Sequence, residues 1–97
     1  MTEYAISLEQ DGPRGRYVID LGDGAEAEMN FRRQGDVMTI THTGVPPAFE
    51  GRGIAAQLVH RAIADARAGG FKILPACSYV VVQFKRHGKE WADVLAE

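Results

Sequence analysis

Glu50-Gly51-Arg52-Gly53-Ile54-Ala55 is the stretch whose reading decides the fold. Two glycines two positions apart let the backbone approach a ligand closely, and the stretch opens directly into a helical pattern. The first turn of a helix offers amide N–H groups without intrahelical partners, at the positive end of the macrodipole. A glycine turn feeding such an end forms an anion cradle, most often for phosphate or pyrophosphate. The stretch is not a P-loop, because no Gly-Lys-Ser/Thr follows. It is not the G-x-G-x-x-G dinucleotide fingerprint either, since position 56 is Ala56. On these residues alone, a tight turn with a glycine at the helix start is the other reading.

Upstream, the apolar residues repeat every second position. Tyr4, Ile6 and Leu8 form one such run, Tyr17, Ile19 and Leu21 a second, and Ala25, Ala27, Met29 and Phe31 a third. Period two predicts strands with one buried and one wet face. Asp11-Gly12-Pro13 separates the first from the second, and Gly22-Asp23-Gly24 reads as a hairpin turn between the second and third. Gln34-Gly35-Asp36 leads to a β-branched fourth strand over 37–43, which alternates less strictly, as when both faces are partly covered. Short connections in succession predict an antiparallel meander.

Downstream the period lengthens. Ala55, Leu58, Val59, Ala62, Ile63 and Ala66 mark one face of an amphipathic helix, with Gln57, Arg61, Asp65 and Arg67 on the wet side and Gly69-Gly70 at its end. Residues 71–76 read as a short fifth strand, parallel to the fourth through a right-handed crossover. Pro75 makes that strand an edge, or ends it. Ser78 is a candidate N-cap for a second helix to about Arg86, although Val80, Val81 and Val82 leave strand open there. After Gly88, residues 89–96 read as a last short helix carrying Trp91 and Leu95. The order is β-β-β-β-α-β-α, an α+β sheet with helices packed on it, in a single domain over 1–97.

Composition narrows the function classes. At 45% hydrophobic and 25% charged, the chain has the balance of a folded globular domain. A net charge of −2 argues against a general binder of nucleic acid or of an anionic membrane. Cys77 is the only cysteine, which excludes an intramolecular disulfide and a cysteine-built metal site and fits a reducing compartment. The first ten residues lack the apolar core of a signal peptide, and no apolar run approaches the ~20 residues of a membrane span. We therefore expect a cytoplasmic protein. No two of the three histidines have the spacing of metal ligands, so no metal is expected.

Three segments follow in order: His42-Thr43-Gly44-Val45-Pro46, Gly51-Arg52-Gly53-Ile54-Ala55 and Pro75-Ala76-Cys77-Ser78-Tyr79. Together they resemble the Gcn5-related N-acetyltransferases (GNAT), and most closely the small single-domain branch that keeps only the CoA-binding core. The resemblance covers about 17–95. The superfamily marks its acetyl-CoA site with a Gln/Arg-x-x-Gly-x-Gly/Ala loop between the fourth strand and a long helix. Gly53 and Ala55 match its small positions, while Glu50 stands where the superfamily has Gln or Arg.

The resemblance implies acetyl-CoA as donor. Backbone amides of Gly51, Arg52, Gly53, Ile54 and Ala55 would bind its pyrophosphate. The fourth and fifth strands would splay after Thr43, and exposed amides at Val45 would take the pantetheine arm in strand-like fashion. The Arg52 side chain either adds a charge-assisted phosphate contact or is a solvated loop arginine. Cys77 ends the fifth strand just before a helix, a setting in which thiols act as nucleophiles. It is either an acetyl carrier in a ping-pong route or a small buried hydrophobe. Tyr79 corresponds to a family proton donor to the departing CoA thiolate, or is a packed aromatic. His42 is a general base for the acceptor amine, or a strand-end histidine bonded to backbone. Many small relatives carry an acidic residue at position 44, and Gly44 leaves no such base here. Lys85-Arg86-His87-Gly88-Lys89 is a solvated helix end, or a contact for the CoA 3′-phosphate or for an acidic partner. The expected activity is acetyl transfer to an unidentified amine, small molecule or protein. The alternatives are a non-catalytic acyl-CoA-binding or sensing module, and an interaction domain without a ligand.

Overall fold

The computed structural model describes residues 3–96. Five strands form one sheet in the order β1-β2-β3-β4-β5: β1 (Ser7–Asp11), β2 (Arg14–Gly22), β3 (Ala25–Gln34), β4 (Val37–Gly44) and β5 (Lys72–Pro75). The first four pair antiparallel, and β5 lies parallel to β4, as the crossover through α1 (Ile54–Gly69) requires. A second helix, α2 (Ser78–Arg86), follows β5, and short 3-10 turns cover Pro47–Phe49 and Ala92–Val94. The α+β meander-helix-strand-helix order expected from the sequence is the one observed.

One core holds these elements together. Tyr17, Ile19, Met29, Phe31, Met38, Ile40 and Ile73 project from the sheet into a single cluster with Leu58, Val59 and Ile63 of α1 and Val80 and Phe84 of α2. Gly15 stands opposite Phe31 in the β2–β3 ladder, and the Phe31 ring covers it. A Cβ on Gly15 would lie 2.3 Å from Phe31 Cζ. Trp91 completes the core, stacked on by His87 at 4.2 Å between ring centroids and met edge-on by Phe84 at 5.2 Å and His60 at 5.6 Å.

Several local expectations need correction. The first strand was expected over Tyr4, Ile6 and Leu8, but pairing runs from Ser7 to Asp11, and all five residues are exposed. As an edge strand, β1 shows an alternation that does not say where its ladder begins. Tyr4 and Ile6 lie before it and pack against the core. The Tyr4 N–H donates to Gln57 Oε1 at 3.0 Å, and Arg61 Nη1 donates to the Ile6 carbonyl at 3.1 Å. This segment crosses the face of α1 that was read as wet, so Gln57, Arg61 and Asp65 are half-buried. Asp65 accepts from Tyr17 Oη at 2.7 Å and from Arg61 Nε at 3.1 Å. Burial pushes the Tyr17 hydroxyl well above its ordinary value, and the Asp65 carboxylate acts in the same direction.

At the start of α1 it is Ile54, not Ala55, that enters the core; Ala55 is half-buried. Ser78 is the first helical residue of α2, and Cys77 holds the cap position. Residues 80–82 are helical, because Val80 packs inward with Phe84 four positions on. The last helix expected over 89–96 is a turn and the 3-10 segment Ala92–Val94, after which Leu95 bridges to Ile73. That bridge holds the chain extended against the free edge of β5.

Candidate functional site

The site begins with an irregularity in β4. Asn30 pairs with His42 and Phe31 with Ile40, so Thr41 is an extra residue without a partner on β3. Such a bulge bends its strand and increases the local twist. Parallel pairing with β5 stops at Ile40 and Pro75, and the last backbone link is Ala76 N–H to the Ile40 carbonyl at 2.9 Å. The strands therefore part at Thr41, earlier than the separation expected after Thr43. Pro75 contributes by removing a ladder donor at the same place.

The bulge also shifts the phase of the strand. Met38 and Ile40 face the core, and simple alternation would send His42 after them. Instead Thr43 lies opposite buried Met29, while His42 lies opposite Asn30 on the other face and is exposed.

A cleft of about 540 Å³ opens between the end of β4 and the start of α1. Of the residues expected to hold a donor, Val45, Gly51, Gly53, Ile54 and Ala55 line it, and Arg52 does not. Since the Ile54 side chain is buried in the core, its main chain is what it offers a ligand. Gly51 and Gly53 have φ of +80° and +76°, the left-handed region that favours glycine. Gly53 caps α1 without a side-chain acceptor, and the first turn carries no acidic residue, so no carboxylate on that turn competes there with an incoming anion. Thr43, Gly44, Phe49 and Glu50 also line the cleft. The Arg52 guanidinium lies 5.0 Å from the centroid of the Phe49 ring, which keeps this exposed cation at the cleft lip. Exposed Glu50 adds a negative charge to the cleft lining.

The catalytic candidates fall at different depths. Tyr79 lines the cleft, and burial pushes its phenol above the ordinary value; nearby Cys77 adds to this and Arg86 works against it. Cys77 is half-buried and does not line the cleft; its thiol donates to Thr43 Oγ1 at 3.5 Å. His42 also lies outside the lining, but its Nε2 stands 3.1 Å from where a Cβ on Gly44 would be. Its imidazole thus fills the space that an acidic side chain at 44 would take, at the edge of the cleft.

The basic segment at the end of α2 is partly committed elsewhere. His87 stacks on Trp91 and shares a hydrogen bond with Glu90 Oε1 at 3.1 Å. Folding also brings His87 within 5.9 Å of His60, a proximity the sequence spacing did not reveal. Among the described residues, no group of three or more His, Cys, Asp and Glu side chains is arranged to hold a metal ion. Nor is any of their helices long and apolar enough to cross a membrane. Thr43 and Phe49 were not singled out from the sequence. The lapse in alternation through Ile40-Thr41-His42-Thr43 was the available signal for Thr43.

Two comparisons bear on these features. The family model of the GCN5-related N-acetyltransferases matches residues 16–94, which takes in the whole cleft, both helices, β3, β4 and β5, and most of β2. The fold is similar to the solution NMR structure of a GCN5-like protein from Staphylococcus aureus, with a TM-score of 0.66 at 23% identity, over 93% of this chain and 87% of that one. At that identity the likeness is one of fold. The family match runs through the splayed strands, the glycine turn and the helix that follows it, and the chain belongs to the GCN5-related N-acetyltransferase family.

Proposed function

We propose that this protein binds acetyl-CoA in the cleft beside the β4–β5 splay and transfers the acetyl group to an amine, with Cys77 carrying it between the two. The observation that carries this reading is the coincidence of the bulge at Thr41, the splay it produces and two left-handed glycines at one cleft. Main-chain N–H groups from Gly51 to Ala55 hold the pyrophosphate, and Arg52 at the lip adds charge. The main chain at Val45, free of β5, pairs with the pantetheine amides. The thioester end then lies toward Tyr79 and Cys77.

Cys77 loses its thiol proton to solvent, and its sulfur attacks the acetyl carbonyl carbon. The carbon–sulfur bond to CoA breaks. Tyr79 passes its phenol proton to the departing sulfur and regains one from solvent. A neutral amine then attacks the Cys77 thioester. The amide bond forms, the bond to the Cys77 sulfur breaks, the amine's proton passes through solvent to His42 at the cleft edge, and the sulfur takes up a proton in return.

One observation favours a second reading, a binding module without turnover: Cys77 is not among the residues lining the cleft. Incubation with isotopically labelled acetyl-CoA, followed by peptide mass spectrometry, separates the two. Label on Cys77 that is discharged by spermidine or a lysine peptide supports transfer. Stabilisation by CoA with no label supports the module. Neither label nor stabilisation refutes both.

A further inference from the structure

We propose that Thr43 is the positioning residue for Cys77, holding its sulfur across the strand splay and supporting it as an anion. The value of this for acetyl transfer rests on the reading of Cys77 as carrier; the contact and its effect on the thiol do not.

Three observations meet at this pair. First, the extra residue at Thr41 puts Thr43 opposite Met29 on the core side of β4, where His42 would otherwise stand. Without the bulge, Thr43 would face away from Cys77. Second, Cys77 occupies the cap position of α2 but makes no side-chain capping bond. A residue there ordinarily turns its side chain toward the first-turn N–H groups. This thiol turns instead toward β4 and donates to Thr43 Oγ1 at 3.5 Å. Third, the contact lies beyond the last main-chain link, Ala76 N–H to the Ile40 carbonyl, in the region where β4 and β5 have parted. It is a side-chain bridge across the opening.

A threonine suits both states of the sulfur. Its oxygen accepts from the thiol, and after the thiol proton leaves, the hydroxyl rotates and donates its own hydrogen to the thiolate. Valine has nearly the same shape without the hydroxyl, and serine keeps the hydroxyl without the methyl.

Alkylation by iodoacetamide tests this without CoA or an acceptor, because Cys77 is the only cysteine. The rate is measured at about pH 7 and about pH 9.5 for wild type, Thr43→Val and Thr43→Ser. Thr43→Val is expected to react about tenfold more slowly near neutral pH, the low end of what a hydrogen bond to a charged group is worth. The difference closes at the higher pH, where the thiolate forms regardless, and Thr43→Ser stays within about twofold of wild type. Wild-type reactivity in Thr43→Val at both pH values overturns the proposal. So does an equal slowing at both pH values that serine does not rescue, which marks altered packing. If wild type takes no acetyl from acetyl-CoA, the carrier reading fails while these alkylation rates still decide the role of Thr43.

Discussion

Replacing Gly51 with alanine separates a turn from an anion cradle. Gly51 has φ of +80°, and a Cβ built on it meets nothing within 4 Å. The substitution therefore costs backbone strain without a clash. A left-handed L-residue costs roughly 1–2 kcal/mol, offset by about 0.4–1 kcal/mol from the stiffer unfolded chain. The net destabilisation is on the order of 1 kcal/mol, or about 4–8 °C in Tm for a domain of this size. The fold survives. Binding should suffer more, because Gly51 lines the cleft and a methyl group there takes up open space that the proposed pyrophosphate would enter. Loss of one charge-assisted hydrogen bond weakens CoA by about 10–100-fold. Urea unfolding with and without CoA reads both effects. At one hundred times the wild-type Kd, CoA adds ~2.7 kcal/mol to wild type and only about 0.4–1.4 kcal/mol to the variant. Pantetheine, which lacks the pyrophosphate, serves as control and should bind the two proteins alike. A variant that loses its intrinsic stability yet keeps the full CoA increment refutes the cradle and leaves Gly51 a turn residue.

Other substitutions report on the scaffold that holds the cleft. Tyr17 donates to Asp65 at 2.7 Å, and burial holds its hydroxyl protonated past the pH at which the unfolded chain ionises. Its stabilisation is complete below about pH 10 and declines as pH rises, by up to ~1.4 kcal/mol per pH unit; Tyr17→Phe should remove that decline in denaturation series between about pH 9 and pH 11. Gly15→Ala drives a methyl group to 2.3 Å from Phe31 Cζ, and displacing that buried ring should cost about 1–3 kcal/mol, seen as a lower urea midpoint. Trp91→Ala empties the centre of the His87, His60 and Phe84 cluster; at 4% exposure the loss should reach about 3–5 kcal/mol in the same assay.

Sequence periodicity carried most of the architecture, because each element has one buried face. Period two through Tyr17, Ile19 and Met29 marked strands that are central in the sheet, and the 3.6 period through Leu58, Val59, Ala62 and Ile63 marked the crossover helix. The edges were less legible. Nothing in the alternation of Tyr4, Ile6 and Leu8 says that pairing begins at Ser7, since an edge strand is held from one side only. The wet face of α1 was misjudged because the segment covering it comes from more than fifty residues away, through Tyr4 and Gln57. At the site, left-handed Gly51 and Gly53 were readable from residue type. The bulge at Thr41 showed in the sequence only as a lapse in alternation through 40–43, because its position is set by register against β3. That one displaced residue decides which of His42 and Thr43 faces Cys77, so the candidate catalytic side chains were the least readable part of the chain.

On the proposed reading, the cleft between bulged β4 and the start of α1 is the acetyl-CoA site. Titration of the isotopically labelled protein with CoA, followed through backbone amide NMR shifts, tests it most directly. The account predicts that the largest changes fall on residues 43–45 and 49–55 and on Tyr79, with the β1–β2 hairpin unmoved. Shifts absent from 51–55 at saturating CoA, or centred on the β1–β2 hairpin, would contradict it.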